Sequence, residues 1–148
     1  MFFARHFEIR YNIQMLRKKV QVVVFDLSGK TPKVLLLKTN SSRGSFWQNI
    51  TGSLNLNEAP LAGAKREMLE ETGLSPHEIF DLGYSFEYDE FLEHVFGAVF
   101  LKSPGKITLD PKEHDDFKWV DLDQISKASY KFPSNFESFI VANMRVRT

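Results

Sequence analysis

The sequence has no cysteine, no net charge and no long apolar run, and each absence excludes a class of protein. Without cysteine, the chain has no disulfide bonds, thiol nucleophiles or thiolate metal ligands. Lysine plus arginine (19) equal aspartate plus glutamate (19), so no overall field draws the chain to nucleic acid or an anionic membrane. A chain of 148 residues is predicted to form one domain over 1–148, and any charged ligand must bind at a local site.

The N-terminal residues are apolar in part, but Arg5, Glu8 and Arg10 interrupt the apolar stretches. A signal peptide or a membrane span needs a longer uninterrupted run. We therefore expect a cytoplasmic enzyme or binding module with no membrane partner. Residues 1–16 are assigned as a leader of unknown role, within which Met15 is an alternative start.

Two runs rich in valine and leucine, 20–25 and 33–38, predict a hairpin because a turn-forming segment separates them. Further strands are predicted at 46–50, 79–86, 93–102 and 117–120. Short helices are predicted at 122–128 and 134–144, the second with Phe136, Phe139 and Ile140 facing inward. This order of elements predicts an α/β or α+β sandwich, in which helices pack outside a mixed sheet.

Residues 59–72 are predicted to form the principal helix. Pro60 suits the first helical turn, Asn57 or Glu58 is the expected cap, and Gly73 followed by Pro76 ends the helix. An apolar stripe that docks the helix on the sheet is predicted from Leu61, Ala64 and Met68.

Three glutamates of this helix, Glu67, Glu70 and Glu71, have the spacing i, i+3 and i+4, which places them on one face. Like charges at this spacing repel, by roughly 0.2–0.5 kcal/mol per pair in an isolated helix. A divalent cation reverses that effect, and carboxylate oxygens suit Mg²⁺ or Mn²⁺ better than Zn²⁺. The plainer alternative is a solvated acidic face. We favour a metal site that also receives phosphate oxygens of a substrate.

The segment 52–74, GSLNLNEAPLAGAKREMLEETGL, contains fixed residues at characteristic intervals. Gly52 precedes Glu58 by six positions, Arg66-Glu67 follows eight positions later, and Glu70-Glu71 and Gly73 complete the pattern. Seven fixed identities at roughly 6% usage each match by chance on the order of 10⁻⁸ or less per start position. The segment resembles the Nudix box of the Nudix hydrolases, and a looser resemblance extends over residues 20–139.

This resemblance implies an α/β/α sandwich and Mg²⁺-dependent hydrolysis of a nucleoside diphosphate linked to another group. It assigns metal ligation, and with it catalysis, to Glu67, Glu70 and Glu71, with an additional oxygen from the Gly52 carbonyl. It also implies a structural role for the box residues Glu58, Arg66 and Gly73, with Glu58 and Arg66 pairing between loop and helix. Many family members have glycine where this chain has Asn57. Asparagine tolerates a positive φ, so we expect the loop to be preserved.

A base outside the box is expected, and Glu113 is the candidate, both as catalytic residue and as metal ligand. It lies in a loop that leads directly into the strand at 117–120, so its carboxylate can reach the metal site. A polar turn is the alternative. His114 is expected to be a surface or loop histidine.

Two flanking segments, FWQNITGS (46–53) and EHDDFKWVD (113–121), indicate the substrate. They resemble the dihydroneopterin triphosphate pyrophosphatase branch of the family, which also hydrolyses dATP and related triphosphates to a monophosphate and pyrophosphate. Diadenosine polyphosphates are the alternative substrates. A non-catalytic nucleotide-binding regulatory module is the alternative of a different class, although all three box carboxylates are present.

Four residues are candidates for binding such a nucleotide or pterin triphosphate. Trp47 is suited either to stacking on a flat ring or to packing in the core. Lys38 and Arg43 flank the approach to the box, and Lys131 lies in a late loop that can close over the base. No nucleic-acid partner is expected, and the oligomeric state is left open.

Overall fold

A computed structural model of the chain describes residues 16–147. The leader assigned to residues 1–16 and the alternative start at Met15 lie, apart from Leu16, outside the described residues. The strands are β1 (Arg17–Asp26), β2 (Lys33–Thr39), β3 (Trp47–Gln48), β4 (Ile50–Ser53), β5 (Glu78–Tyr88), β6 (Phe91–Phe100) and β7 (His114–Asp121). The α-helices are α1 (Pro60–Thr72) and α2 (Pro133–Arg147), and short 3₁₀ helices lie at Ser41–Arg43, Leu122–Gln124 and Lys127–Ser129.

The strands form one mixed sheet in the order β3-β2-β1-β6-β5, with β7 added to β2 and β4 added to β1. Strands β1 and β6 are parallel, and the other pairs are antiparallel. Only Phe25 and Asp26 of β1 pair with β2, while residues 19–22 of β1 pair with β4. The sheet therefore splits between β1 and β2, and β3 and β4 border the split.

Within residues 16–147, each face of the sheet carries one helix. Residues of β1 and β2 alternate between the two faces, since side chains on a strand point to opposite sides in turn. The core on the α1 face contains Val20, Val22, Val24, Leu35, Leu37, Ala64 and Met68, and that on the α2 face contains Val23, Phe25, Val34, Leu36, Phe139 and Ala142. Complete burial of a side chain such as Met68 contributes roughly 1.5–3 kcal/mol. The predicted three-layer sandwich is confirmed.

Helix α1 begins and ends at the predicted signals, but its cap and its stripe differ. Pro60 occupies the first turn, and Gly73 ends the helix with a left-handed φ of 73°. The N-cap is Ala59, whose side chain has no acceptor atom, and the carboxylate of Glu58, one of the expected caps, is bonded to Arg66 instead. Leu61 is exposed; Leu54 packs closely against Gly63 and supplies apolar contact at this end of the helix.

Three other sequence-based expectations need correction. The strand predicted at 46–50 is two short strands interrupted at Asn49, whose amide groups bond to Asn135 and Gln21. The helix predicted at 122–128 is a pair of 3₁₀ helices. Ile140 was expected to face inward with Phe139, but it is exposed, and α2 buries Ser138 and Ala142 alongside Phe139.

Strand β5 lies at one edge of the sheet and contains a β-bulge. Its register with β6 shifts between Asp81 and Tyr84. Gly83 adopts a φ of 65° there, a left-handed conformation that glycine adopts without steric cost, and its N–H donates to the Asp81 carboxylate at 2.8 Å. The strand therefore bends before it continues to Tyr88.

Within residues 16–147, no helix has both the length and the apolar character needed to cross a membrane.

Candidate active site

A cleft of about 340 Å³ lies beside β4, where the sheet splits and α1 crosses it. We call it the carboxylate cleft. Its walls are formed by Lys19, Arg43, Thr51, Gly52, Ser53, Asn55, Arg66, Glu67, Glu71 and Glu113. The split in the sheet thus brings residues from β1, β4, α1, the 3₁₀ helix Ser41–Arg43 and two loops to one place.

The carboxylate of Glu67 lies directly against the backbone of Gly52. A Cβ atom added at Gly52 would stand 2.0 Å from Glu67 Cδ, far inside contact distance. Glu67 is only 7% exposed. Burial raises the pKa of the Glu67 carboxyl, an effect that the neighbouring Arg66 guanidinium opposes and that Glu71 and Glu70 reinforce. Glycine at position 52 therefore makes room for a buried carboxylate at the floor of the cleft.

Gly52→Ala is expected to displace this carboxylate and to lower kcat about 100-fold, since a shift of about 1 Å in a catalytic group has an effect of that order. Steady-state hydrolysis assays of the variant would measure it. Gly29→Ala is the matched control, because a Cβ there meets nothing within 4 Å. Equal activities of the two variants would contradict the role assigned to the Gly52–Glu67 contact.

Arg66, a residue of α1, connects the preceding loop to the helix through hydrogen bonds. Its Nε and Nη2 donate to the two oxygens of Glu58, each at 2.8 Å, and Nη2 also donates to the Ser53 carbonyl at 2.9 Å. Its Nη1 donates to Glu67 at 2.9 Å and to Glu70 at 3.1 Å. These contacts hold the loop, which includes Asn57 at the expected positive φ of 61°, against the helix.

The Glu58–Arg66 pair is expected to contribute stability that depends on pH. The Arg66 guanidinium lowers the pKa of Glu58 from 4.5 to about 2. A carboxylate with a lowered pKa in the folded state stabilises the protein above its unfolded pKa, and this contribution is lost as the pH falls toward the folded value. The stability difference between wild type and Glu58→Gln should therefore be full above pH 4.5 and should vanish near pH 2.

Urea unfolding of both proteins across that pH range measures the difference directly. Glu87→Gln, at an exposed position of β5, is the control. A difference between wild type and Glu58→Gln that does not change with pH would show that the variant acts through packing and not through the charge of Glu58.

Glu70 and Glu71 are adjacent in sequence but occupy different environments. The Glu70 side chain is 55% exposed and is bonded to Arg66 outside the cleft. Glu71 is 5% exposed, and its Oε2 lies 2.7 Å from His114 Nδ1. His114 was expected at the surface, but it is 1% exposed, because β7 begins at this residue and pairs it with buried Thr39. Its burial beside Glu71 was not foreseen.

Glu113 and Arg43 form an ion pair at the rim of the cleft, in which Arg43 Nη1 contacts Glu113 Oε2. Both side chains are partly exposed. The two loops are joined by Asn40, whose backbone N–H donates to the Glu113 carbonyl and whose side chain donates to the Pro111 carbonyl. The structure therefore places the proposed base and the proposed phosphate-binding arginine beside Glu67 and Glu71.

The donors of the cleft fit a hard divalent cation. Glu71 Oε2 is buried and makes no regular hydrogen bond to another group in the described part of the chain. Glu67 and Glu113 supply further carboxylate oxygens in the same cleft. Within residues 16–147, however, no three acidic or histidine side chains already form a ligand set, since Arg66 holds Glu67 and Glu70. Glu70 is thus the one predicted ligand that does not line the cleft.

Lys38, Trp47 and Lys131 do not line the carboxylate cleft. Lys38 and Trp47 are paired across β2 and β3, and Trp47 packs against the core on the α2 face. The Lys118 ammonium covers the Trp47 ring, 4.1 Å from its centroid. Lys131 has an exposed side chain, and its backbone N–H donates to the Trp47 carbonyl. Of the four proposed substrate-binding residues, only Arg43 is in the cleft.

The sequence matches the NUDIX domain family model over residues 15–139. It is 29% identical to the RNA pyrophosphohydrolase of Bartonella clarridgeiae, in an alignment that covers 87% of this chain and 90% of that protein. It is 37% identical to an octanoyltransferase of Myxococcus xanthus, where the alignment covers 71% of this chain but only 31% of that protein.

Solved structures of low sequence identity share the fold. The NUDIX domain of Shewanella oneidensis NrtR, in complex with ADP ribose, superposes with a TM-score of 0.73 at 18% identity, covering 88% of each chain. The E. coli dihydroneopterin triphosphate pyrophosphohydrolase superposes with a TM-score of 0.67 at 22% identity, covering 88% of this chain and 96% of that one.

Proposed function

Because this chain belongs to the NUDIX family of hydrolases, which act on pyrophosphate bonds, we propose that it cleaves a nucleoside triphosphate-like substrate. Dihydroneopterin triphosphate, dATP and related triphosphates are the proposed substrates, and a monophosphate and pyrophosphate are the products. Mg²⁺ or Mn²⁺ is the proposed cofactor. The observation that carries the proposal is the carboxylate cleft, in which Glu67, Glu71 and Glu113 lie together with Arg43.

The residues of the cleft divide into two groups by charge. Glu67 and Glu71, with Glu113, would hold the cation, and Glu70 would join them if its bond to Arg66 opens. When bound, a divalent cation neutralises charge that develops on the phosphate oxygens during hydrolysis. Arg43 and Lys19 are the cations of the cleft that can hold the phosphate chain, while the remaining one, Arg66, is engaged by Glu58.

Glu113 is the proposed general base. Its position at the rim, on a loop tied down by Asn40, allows it to accept a proton from the attacking water. Binding of a phosphate group to Arg43 would release Glu113 from the ion pair that occupies it in the structure. The arginine and the base would then act on the same substrate from neighbouring positions.

We favour a small triphosphate over a polymer as the ligand of the cleft. The volume is about 340 Å³, and the chain has no excess of basic residues to bind a nucleic-acid backbone. The flanking segments 46–53 and 113–121 also resemble the dihydroneopterin triphosphate branch. The 5′ end of RNA is a second candidate, favoured by the 29% identity to an RNA pyrophosphohydrolase along nearly the whole of that protein.

A substrate panel tests the proposal. Purified protein would be incubated with Mg²⁺ and with dihydroneopterin triphosphate, dATP, the other nucleoside triphosphates, diadenosine tetraphosphate or a 5′-triphosphorylated RNA oligonucleotide, and the phosphate products would be identified. Release of pyrophosphate from a small triphosphate, abolished by EDTA, supports the proposal. If the protein hydrolyses the RNA or diadenosine tetraphosphate faster, that compound replaces the small triphosphate as the proposed substrate. Tight nucleotide binding without turnover would indicate a binding module.

A further inference from the structure

We propose that His114 is a positioning residue, which holds the Glu71 carboxylate in the carboxylate cleft and is itself fixed by Gln48. The role rests on the proposed function, since Glu71 is a candidate cation ligand there. Neither the box motif nor the charge pattern identifies this histidine as a functional residue.

The contact joins three elements on the α1 face of the sheet. Gln48 belongs to β3, His114 to β7 and Glu71 to α1. His114 Nε2 lies 2.9 Å from Gln48 Nε2, and His114 Nδ1 lies 2.7 Å from Glu71 Oε2. The His114 side chain has no exposed surface, and the Glu71 side chain is 6% exposed, so water has little access to this contact.

The hydrogen-bond pattern determines which ring nitrogen carries the proton. The amide nitrogen of Gln48 can only donate, so it requires His114 Nε2 to accept. The neutral ring then carries its proton on Nδ1, the ring nitrogen that lies 2.7 Å from Glu71 Oε2. In the described part of the chain, neither Glu71 Oε2 nor His114 Nδ1 is aligned for a regular hydrogen bond, either with the other atom or with any other group. The interaction is therefore a close polar contact between a buried ring nitrogen and a buried carboxylate oxygen.

Removing this contact would affect the cleft in two ways. Glu71 would lose the group that limits its rotation, and a buried carboxylate oxygen without a nearby donor is costly. His114 also follows Glu113 directly, so its burial fixes the point from which the Glu113 side chain enters the cleft. Partners behind a metal-binding side chain typically change metal affinity or activity about 10- to 100-fold when they are mutated.

Two substitutions separate positioning from simple core packing. In His114→Asn the side-chain amide nitrogen takes the place of Nδ1 and can still donate to Glu71. In His114→Gln the amide nitrogen takes the place of Nε2 and reaches toward Gln48 instead. Both variants remove the ring, so their losses of thermal stability should be similar.

We expect His114→Gln to lower kcat and to weaken Mn²⁺ binding, each about 10- to 100-fold, with KM changed by less than about threefold. His114→Asn should retain kcat and Mn²⁺ affinity within about fivefold of wild type. This change is smaller than the loss of about 10- to 100-fold expected when the partner contact is removed. Mn²⁺ binding is measured by electron paramagnetic resonance titration without substrate, so this result stands even if no substrate in the panel is turned over. Equal losses in both variants, in proportion to their melting temperatures, would overturn the proposal.

If neither variant folds, the proposal is tested on the wild-type protein by nuclear magnetic resonance. Nitrogen-15 spectra of the imidazole rings should show the Nδ1–H tautomer for His114 and a shift of its resonances when Mg²⁺ is added. The proposal would be overturned if His114 is the Nε2–H tautomer, or if its resonances do not shift at saturating Mg²⁺.

Discussion

Glu71→Gln is expected to lower kcat by about 10²–10⁴-fold, the range found when one charged group that acts directly on the transition state is lost. The substitution keeps the shape of the side chain and its proximity to His114, but it removes the negative charge at the most enclosed point of the carboxylate cleft. It also removes a charge that disfavours ionisation of Glu67. Stability should therefore be unchanged or should increase, as is common when a functional charge is neutralised.

Steady-state kinetics and thermal unfolding of the same preparations measure both effects. Glu78→Gln, at an exposed position of β5, is the control for loss of a single carboxylate. Wild-type turnover by Glu71→Gln would exclude this residue from catalysis. A loss of activity that follows a loss of folded protein would point to a structural role instead.

Glu113→Gln is expected to lower kcat about 100-fold, the lower part of the range for loss of a general base. The ion pair that it breaks with Arg43 is partly exposed, and such pairs contribute about 0–1 kcal/mol, so stability should change little. Asp115→Asn is the matched control, since this exposed carboxylate lies two residues away on β7. If Glu113→Gln and Asp115→Asn have equal activity, another group must accept the proton.

Much of the fold could be predicted because its signals are local. Runs rich in valine and leucine on either side of a turn segment marked the hairpin of β1 and β2, and Pro60 and Gly73 marked the two ends of α1. Errors arose where contacts distant in sequence compete with local preferences. Asn49 interrupts a predicted strand because Gln21 and Asn135 bind its amide groups.

The site was predicted less completely, for the same reason. Helical spacing placed Glu67, Glu70 and Glu71 on one face. Spacing along a helix does not predict which of these side chains a neighbouring strand buries. In the structure β4 covers Glu67, β7 covers Glu71, and Glu70 stays in solvent. His114 was missed because its burial depends on Thr39, Gln48 and Glu71, which are far from it in sequence.

The bulge at Gly83 has a consequence for how this protein behaves among its own copies. Within residues 16–147, β5 is a long edge strand, and the unpaired N–H and C=O groups of a long, straight edge are a template for pairing with another chain. The bend at Gly83 interrupts that row of groups, and the charged side chains of Glu78, Asp81 and Glu87 lie along the same strand. We therefore expect this short stretch of irregular backbone to disfavour edge-to-edge pairing between copies of the protein at high concentration.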